Sequence, residues 1–173
     1  MTSILQTVDF STTLAIEWQR VELLCRCMQQ SNKGLEIEVE TLQHLSSIQK
    51  QVSELRETHS DWLHLPVNGL TTLEMDVLSI VLALEAEPRL VMLYQALQPG
   101  MSTPYPTLPF IQEVLAVTHQ EVPALYRAIQ SDSALVTRKL VEVDQAAPFY
   151  QIKPVAGVVA ILQGWKPGKL LDP

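Results

Sequence analysis

The chain has 173 residues, of which 47% are hydrophobic and 18% are charged, and its formal net charge at pH 7 is −7. This length fits one ordinary domain or a small domain with a helical arm, and the apolar content suffices for a core, which excludes a disordered acidic tail. The acidic balance argues against nucleic acid as the main partner, because phosphate binding requires clustered Lys and Arg.

Two features of the sequence bear on the compartment. The apolar runs fall well short of the roughly 20 residues that cross a membrane, and the N-terminus has no basic region followed by an apolar core, so no secretory signal is expected. Cys25 and Cys27 point in different directions if they lie on one helix, and free thiols favour a reducing environment. We therefore expect a cytoplasmic protein.

Residues 1–64 predict a helical arm made of two long helices. Apolar residues recur every three to four positions from 10 to 30, a turn signal follows at 31–34, and a second apolar face runs from Leu35 in a helix that ends near His59. Two interpretations remain open. The pair packs antiparallel on the following domain, or it self-associates as a coiled coil of about three heptads.

Residues 65–163 predict a compact, helix-rich unit. A break at 66–69 precedes a central helix that is apolar on nearly every side in its second half, and prolines exclude a helix from residues 99–106. The predicted helices occupy residues 71–86, 88–98, 107–118 and 121–130.

The hydrophobic period then changes. Residues 134–144 are rich in β-branched side chains and predict a strand with a helical start, and residues 149–154 predict the returning strand. A last apolar helix follows at 155–164. Helices followed by a hairpin are the arrangement of a winged helix. The predicted fold class is therefore mainly α with a small β-hairpin: an N-terminal helical arm, then a winged-helix domain at 65–163.

The stretch GWKPGKL, which begins at Gly164, superficially resembles a phosphate-binding loop. Such a loop has four residues between its glycines and a hydroxyl after its lysine, whereas three residues separate Gly164 from Gly168, and Leu170 has no hydroxyl. Pro167 also lacks an amide that the loop would use. Residues 164–173 are therefore predicted to be a linker, and no cofactor is expected in this segment.

The order of several motifs resembles a known family. GLTTLEMDVLSIVLALEAEPRLVMLYQAL is followed by PYPTLPFIQEVL, LVTRKLVEV and VAGVVAILQG. This order is similar to the winged-helix domain that precedes the ATPase module in certain bacterial AAA+ proteins. The matching positions are Leu70, Thr71, Glu74, Asp76, Leu78, Glu85, Glu87, Pro88, Arg89, Leu93, Tyr94, Pro106, Thr107, Leu162 and Gly164.

That family includes the ATPase encoded with extracellular contractile injection systems of the antifeeding prophage and Photorhabdus virulence cassette type. The resemblance covers about residues 65–173, and the closing residues 171–173 fit the family's lead-in to the ATPase. It implies a larger bacterial, cytoplasmic protein that binds ATP and magnesium and forms a ring, expected to be hexameric. This segment would not be an enzyme itself. It would recruit a protein substrate or adaptor for assembly, loading or remodelling of a contractile particle.

A winged-helix fold also suggests DNA binding as a hypothesis, so the alternative function is an acidic transcription regulator with a dimerising arm. From Leu90 through Tyr126 there is no Lys or Arg, and the helix that would enter the major groove therefore has no group to contact phosphates or bases. Arg138 and Lys139 are too few to balance the acidic surroundings. We expect a protein partner, and neither nucleic acid nor membrane. A structural component of the particle is a third possibility.

The sequence contains no evident catalytic or metal-binding set. His59 and His64 are five positions apart, whereas metal sites on helices favour spacings of three or four. Solvated or capping histidines are the favoured interpretation, and no metal is expected. The candidate protein-contact residues are aromatic: Tyr105, Trp165, Trp62, which is also expected to close the arm on the globular unit, and Phe110.

Overall fold

The structure is a computed structural model that describes residues 10–58, 61–146 and 149–165, without the side chains of residues 10–13 and 61. It is mainly helical with one small antiparallel sheet, which confirms the predicted fold class of helices with a hairpin. The α-helices of the described residues are α1 (Phe10–Asn32), α2 (Val39–Thr58), α3 (Thr72–Ala86), α4 (Leu90–Leu97), α5 (Leu108–Val114), α6 (Val122–Ala128), α7 (Ala134–Thr137) and α8 (Val158–Leu162). A 3₁₀ turn spans Asp61–His64, and the strands are β1 (Val141–Asp144) and β2 (Gln151–Pro154).

Helices α1 and α2 pack against each other, and α1 also packs on α3. Trp18 and Val21 of α1 are buried in the same hydrophobic core as α3. The buried residues of α2 are Ile48 and Val52, and Arg56 of α2 forms an ion pair with Asp76 of α3. Of the two arrangements left open for the arm, the structure has the pair packed on the rest of the chain. Self-association of the pair and a boundary at residue 64 stay predictions.

The prediction that α2 begins at Leu35 is wrong, because residues 35–38 form no helix and α2 starts at Val39. Gly34 has a left-handed φ of 72° that ends the preceding turn. Leu, Ile and Val alternate with Glu in the next six residues, and this period of two favours extended backbone over helix.

Helix α3 is the centre of the fold, as its composition predicts. It begins with a capping box, in which the Thr71 hydroxyl accepts from the Glu74 amide at 3.1 Å and the Thr71 amide donates to Glu74 Oε1 at 3.0 Å. Residues 77–84 are all buried, so this helix has neighbours on every side. The buried ring of Tyr94 belongs to the same hydrophobic core, and its hydroxyl donates to the Ile80 carbonyl of α3 at 2.8 Å.

The later helices exist where predicted but are shorter. Helix α4 begins after Pro88 and Arg89, which form a turn. Helix α5 ends at Val114 rather than near residue 118, because Ala116 adopts a left-handed φ of 51° that a helix cannot contain. Propensity and period locate a helix well but locate its ends poorly, since caps depend on a few local torsions.

Strands β1 and β2 pair antiparallel, with Val143 opposite Ile152 and Val141 opposite Pro154. Residues 138–140 separate helix α7 from β1, so residues 134–144 begin as a helix and end as a strand, as predicted. An isolated bridge joins Thr107 to Gln151 and ties the start of α5 to the hairpin. Residues 147–148, between the two predicted strands, and most of the predicted linker at 164–173 lie outside the described residues.

No helix within the described ranges is both long enough and apolar enough to cross a membrane.

Candidate functional site

The loop between α4 and α5 is held in one conformation by the buried side chain of Gln98. Its Nε2 donates to the carbonyl oxygens of Tyr94 and Pro104, each at 3.3 Å, and its Oε1 accepts from the Thr107 amide at 2.9 Å. A loop rich in proline has few amides for backbone pairing, and a buried side-chain amide satisfies the groups that remain. The Gln98 side chain therefore satisfies two backbone groups of this loop and one at the end of α4.

Strand β2 holds the same loop through a second buried glutamine, Gln151. Its Nε2 donates to the Thr103 hydroxyl and, at 3.1 Å, to the Tyr105 carbonyl. The Ile152 amide donates to the Pro106 carbonyl at 2.9 Å. The loop and the hairpin are thus bonded to each other, and side chains on both keep fixed relative positions.

Tyr105 is half-buried and lies beside Lys153 of β2. The Lys153 ammonium is 5.3 Å from the centroid of the Tyr105 ring, which is a cation–π contact. This contact orients the predicted contact residue Tyr105 and brings one positive charge to it.

Phe149 and Tyr150, just before β2, expose 65% and 40% of their surfaces. Their φ angles are 65° and 53°, in the left-handed region that residues with a Cβ seldom adopt. The carbonyl oxygens of both residues accept from the Leu108 amide at 3.2 Å, which holds this unfavourable backbone. Strained backbone that displays two aromatic rings to solvent is typical of a binding surface.

A shallow groove of about 180 Å³ lies next to these aromatic residues. Gln98, Thr107 and Glu113 are the polar residues of its lining. Its apolar lining is Met28, Leu97, Pro99, Met101, Pro109, Phe110 and Phe149. Methionine side chains adapt to the shape of what they contact, so this groove suits an apolar side chain of a partner. We call the groove together with Phe149 and Tyr150 the aromatic groove.

The structure separates the predicted contact residues. Phe110 is buried at the groove, with its ring centroid 5.0 Å from that of Tyr94. Trp62 is buried too and makes an edge contact with Trp18, with the ring centroids 6.1 Å apart, which packs the 3₁₀ turn on α1. Both rings are buried, and the prediction that Trp62 and Phe110 contact a partner stays a prediction.

Trp165 is exposed on 40% of its surface and ends the described chain. Its amide donates to the Ala160 carbonyl at 2.8 Å, which closes the C-terminal turn of α8. Among the described residues, Trp165 forms no hydrogen bond or ring contact with Tyr105 and does not line the aromatic groove. Its role as a contact residue stays a prediction.

Phe149 and Tyr150 are the residues that sequence reasoning missed. The pattern of residues 149–154 assigned both rings to a regular strand, in which neighbours point to opposite faces. The signal that could have found them is the pair of adjacent aromatic residues directly after Ala-Pro, a position where a turn and not a strand is favoured.

A buried charge network joins α1, α2 and α3, and it was also missed. Arg56 donates to Glu17 through Nε at 2.6 Å and Nη2 at 2.9 Å, and through Nη1 to Asp76 at 2.8 Å. Arg20 donates to Asp76 at 3.1 Å, and the Ser79 hydroxyl donates to Glu17 at 3.0 Å. Two guanidinium groups thus face two carboxylates, so the network is neutral as a whole.

The network fastens helices and offers no acid–base pair poised for chemistry. Burial lowers the pKa of Arg56, but hydrogen bonds and charge from Glu17 and Asp76 more than offset this and raise the pKa above its usual value. Arg56 therefore stays charged and keeps both carboxylates paired.

Helix α5 and the residues before β1 carry few free cations. Glu113 is the one charged residue of α5, so that helix carries no cation. Arg138 donates to the carbonyl oxygens of Pro66 and Asn68 at 3.0 and 2.6 Å, so this guanidinium group bonds to the fold. The expectation that nucleic acid is not a partner stays a prediction.

No group of three or more His, Cys, Asp or Glu side chains in the described part of the chain could hold a metal ion, and His59 lies outside that part. Comparison of the chain with models of protein families, with curated proteins and with solved structures finds no match.

Proposed function

We propose that this chain is a non-catalytic protein-binding module and that the aromatic groove is its contact surface. The observation that carries this proposal is the exposure of Phe149 and Tyr150 on strained backbone beside an apolar groove. Aromatic residues dominate the binding energy of protein interfaces, because each buries a large rigid surface at low entropic cost.

The bonds of Gln98 and Gln151 support the same function. They hold the loop and the hairpin before any partner arrives, so little conformational entropy is lost on binding. In the bound state an apolar side chain of the partner would enter the groove and contact Met101 and Phe149.

The biological setting that we propose rests on the resemblance of residues 65–173 to the domain that precedes the ATPase module of bacterial AAA+ proteins. In that setting the module recruits a substrate or adaptor of a contractile injection particle to a ring ATPase, and ATP and magnesium bind outside this segment. ATP turnover by the purified chain would contradict the non-catalytic assignment.

A binding experiment with purified particle proteins tests the proposal. The chain is immobilised and challenged separately with sheath, tube and baseplate proteins, and one of them is expected to bind saturably. The double variant Phe149→Ser, Tyr150→Ser is expected to weaken that binding at least about tenfold, since interface aromatics contribute upwards of 2 kcal/mol. The matched control is Leu63→Ser, Met92→Ser, which removes two exposed apolar residues elsewhere.

Two outcomes would count against the proposal. Equal weakening by both double variants would show that the aromatic groove is not the contact surface. Binding to duplex DNA with a steep salt dependence, and to none of the proteins, would instead favour the transcription-regulator alternative.

A further inference from the structure

A second surface lies at the tip of the α1–α2 pair. Met28 of α1 is the one described residue of this pair that also lines the aromatic groove. We call residues 35–42 the tip surface. Leu35, Val39 and Leu42 expose 58%, 68% and 47% of their surfaces. Single exposed apolar residues are ordinary, whereas here three large ones lie within eight positions.

Glutamates alternate with these apolar residues along the sequence. Glu36, Glu38 and Glu40 are exposed, and none of them forms an ion pair with another described residue. Lys33 is the nearest cation in sequence. The tip surface is therefore apolar and negative at the same time.

The backbone of the tip surface is also available for bonding. Residues 35–38 are in neither a helix nor a strand. Within the described part of the chain the amides of Glu36, Ile37 and Glu38 donate no hydrogen bond, whereas the Leu35 amide donates to Gln30 at 3.0 Å. Unpaired backbone amides outside regular secondary structure can donate to the carbonyl groups of an added strand.

We propose that the tip surface binds an extended segment of another protein in which Lys or Arg alternates with apolar residues. The cations of that segment would pair with Glu36, Glu38 and Glu40, and its apolar side chains would cover Leu35 and Val39. Charge complementarity selects this occupant, since like charges brought together across an interface cost several kcal/mol.

The same charges disfavour the other occupants. A second copy would bring two sets of the three glutamates face to face, with Lys33 as the one cation that each tip supplies. An anionic lipid surface would repel the carboxylates for the same reason.

The test uses the full chain of 173 residues and a synthetic probe peptide, Lys-Val-Lys-Leu-Lys-Val-Lys, blocked at both ends and labelled with fluorescein. Fluorescence anisotropy is expected to show saturable binding with a Kd of roughly 100 μM or tighter at low ionic strength. Binding is expected to weaken as salt rises from about 0.05 to about 0.3 M, because the Debye length shortens.

The variant Glu36→Gln, Glu38→Gln, Glu40→Gln is expected to weaken binding about tenfold, since three exposed ion pairs each contribute about 0.2–1 kcal/mol. The matched control, Glu54→Gln, Glu57→Gln, Asp132→Asn, removes the same charge from other exposed positions and is expected to change binding less than about twofold. A second tip variant, Leu35→Ser, Val39→Ser, Leu42→Ser, is expected to weaken binding as well. Circular dichroism of each variant verifies that the fold is retained.

The proposal is overturned by an absence of saturable binding, by equal weakening in the tip and control variants, or by full binding in either tip variant. Sedimentation that detects a dimer lost in the leucine and valine variant would assign the surface to a second copy. Loss of vesicle binding in that variant, measured with phosphatidylcholine and phosphatidylserine vesicles, would assign it to lipid. These results do not depend on the aromatic groove.

Discussion

The base and the tip of the α1–α2 pair continue one apolar pattern but meet different surroundings. At the base, Trp18 and Val21 are buried in the core that contains α3, Ile48 of α2 is buried, and Arg56 closes a charge network. At the tip, Leu35 and Leu42 face solvent. The difference teaches that helical periodicity predicts which side of a helix is apolar, whereas burial depends on whether another element lies opposite it.

The largest expected effect comes from breaking the base network. Arg56→Met leaves Glu17 buried without its bidentate partner and is expected to lower the free energy of unfolding by about 3–5 kcal/mol. Urea unfolding measures the change. The control Arg26→Met removes an exposed i,i+4 pair with Glu22 and is expected to cost at most about 0.5 kcal/mol. Similar losses in both variants would contradict the difference between buried and exposed pairs.

Two truncations within α2 sharpen the comparison. Ile48→Ala removes a side chain that is 4% exposed and is expected to cost about 2–4 kcal/mol, through lost transfer energy and the cavity left behind. Leu42→Ala removes a side chain that is 47% exposed and is expected to change stability by less than about 0.5 kcal/mol. Thermal and urea unfolding of both variants measure the contrast. A large loss in Leu42→Ala would mean that the tip is covered.

The reactivity of the two thiols of α1 measures how far each one is buried in the base of the helix pair. Burial raises the pKa of Cys25 from 9.0 to about 12, with a further contribution from Glu22, and burial also raises the pKa of Cys27. Because the thiolate is the nucleophile, iodoacetamide at pH 8 is expected to modify Cys25 at least about tenfold more slowly than Cys27. Trypsin cuts at Arg26 between them, so mass spectrometry measures each rate separately.

The raised pKa of Cys25 also links stability to pH. The stabilising effect of the neutral thiol is complete below the unfolded value of 9.0 and is lost as the pH rises towards about 12. The variant Cys25→Ala is expected to show a shallower alkaline loss of stability than the parent chain. An identical pH profile in the two proteins would contradict burial of this thiol.

The smallest expected effect is at the tip. Glu36→Gln, Glu38→Gln, Glu40→Gln is expected to leave the free energy of unfolding within about 0.5 kcal/mol of the parent value, because exposed charges without partners contribute little. The same variant is expected to lose affinity for the basic peptide. Loss of stability would imply that these glutamates serve the fold instead of a partner.

Much of the helical framework could be predicted because it depends on local pattern. The capping box at Thr71 and Glu74 follows from side-chain chemistry three residues apart, and the buried run of residues 77–84 follows from composition. The predicted start of α2 and the predicted end of α5 were wrong, because each end depends on a residue with left-handed φ, Gly34 or Ala116. Hydrophobic periodicity does not reveal such a residue.

The candidate site was predicted only in part. Tyr105 was singled out because prolines mark a loop, and its role as a contact residue stays a prediction, whereas Phe149 and Tyr150 were assigned to a strand. Their backbone is held by the amide of Leu108, about forty positions earlier in the chain, and no local pattern encodes such a bond.

By itself the sequence determined the fold class, the central position of α3 and the exclusion of clustered cations from residues 90–126, because each depends on residue type and short-range spacing. Only the tertiary structure decided which apolar residues are covered, and which charges meet. Glu17, Arg56 and Asp76 come from three helices, so their network exists once those helices pack. The exposed strips at the tip and at the aromatic groove are where that packing leaves apolar surface without a neighbour.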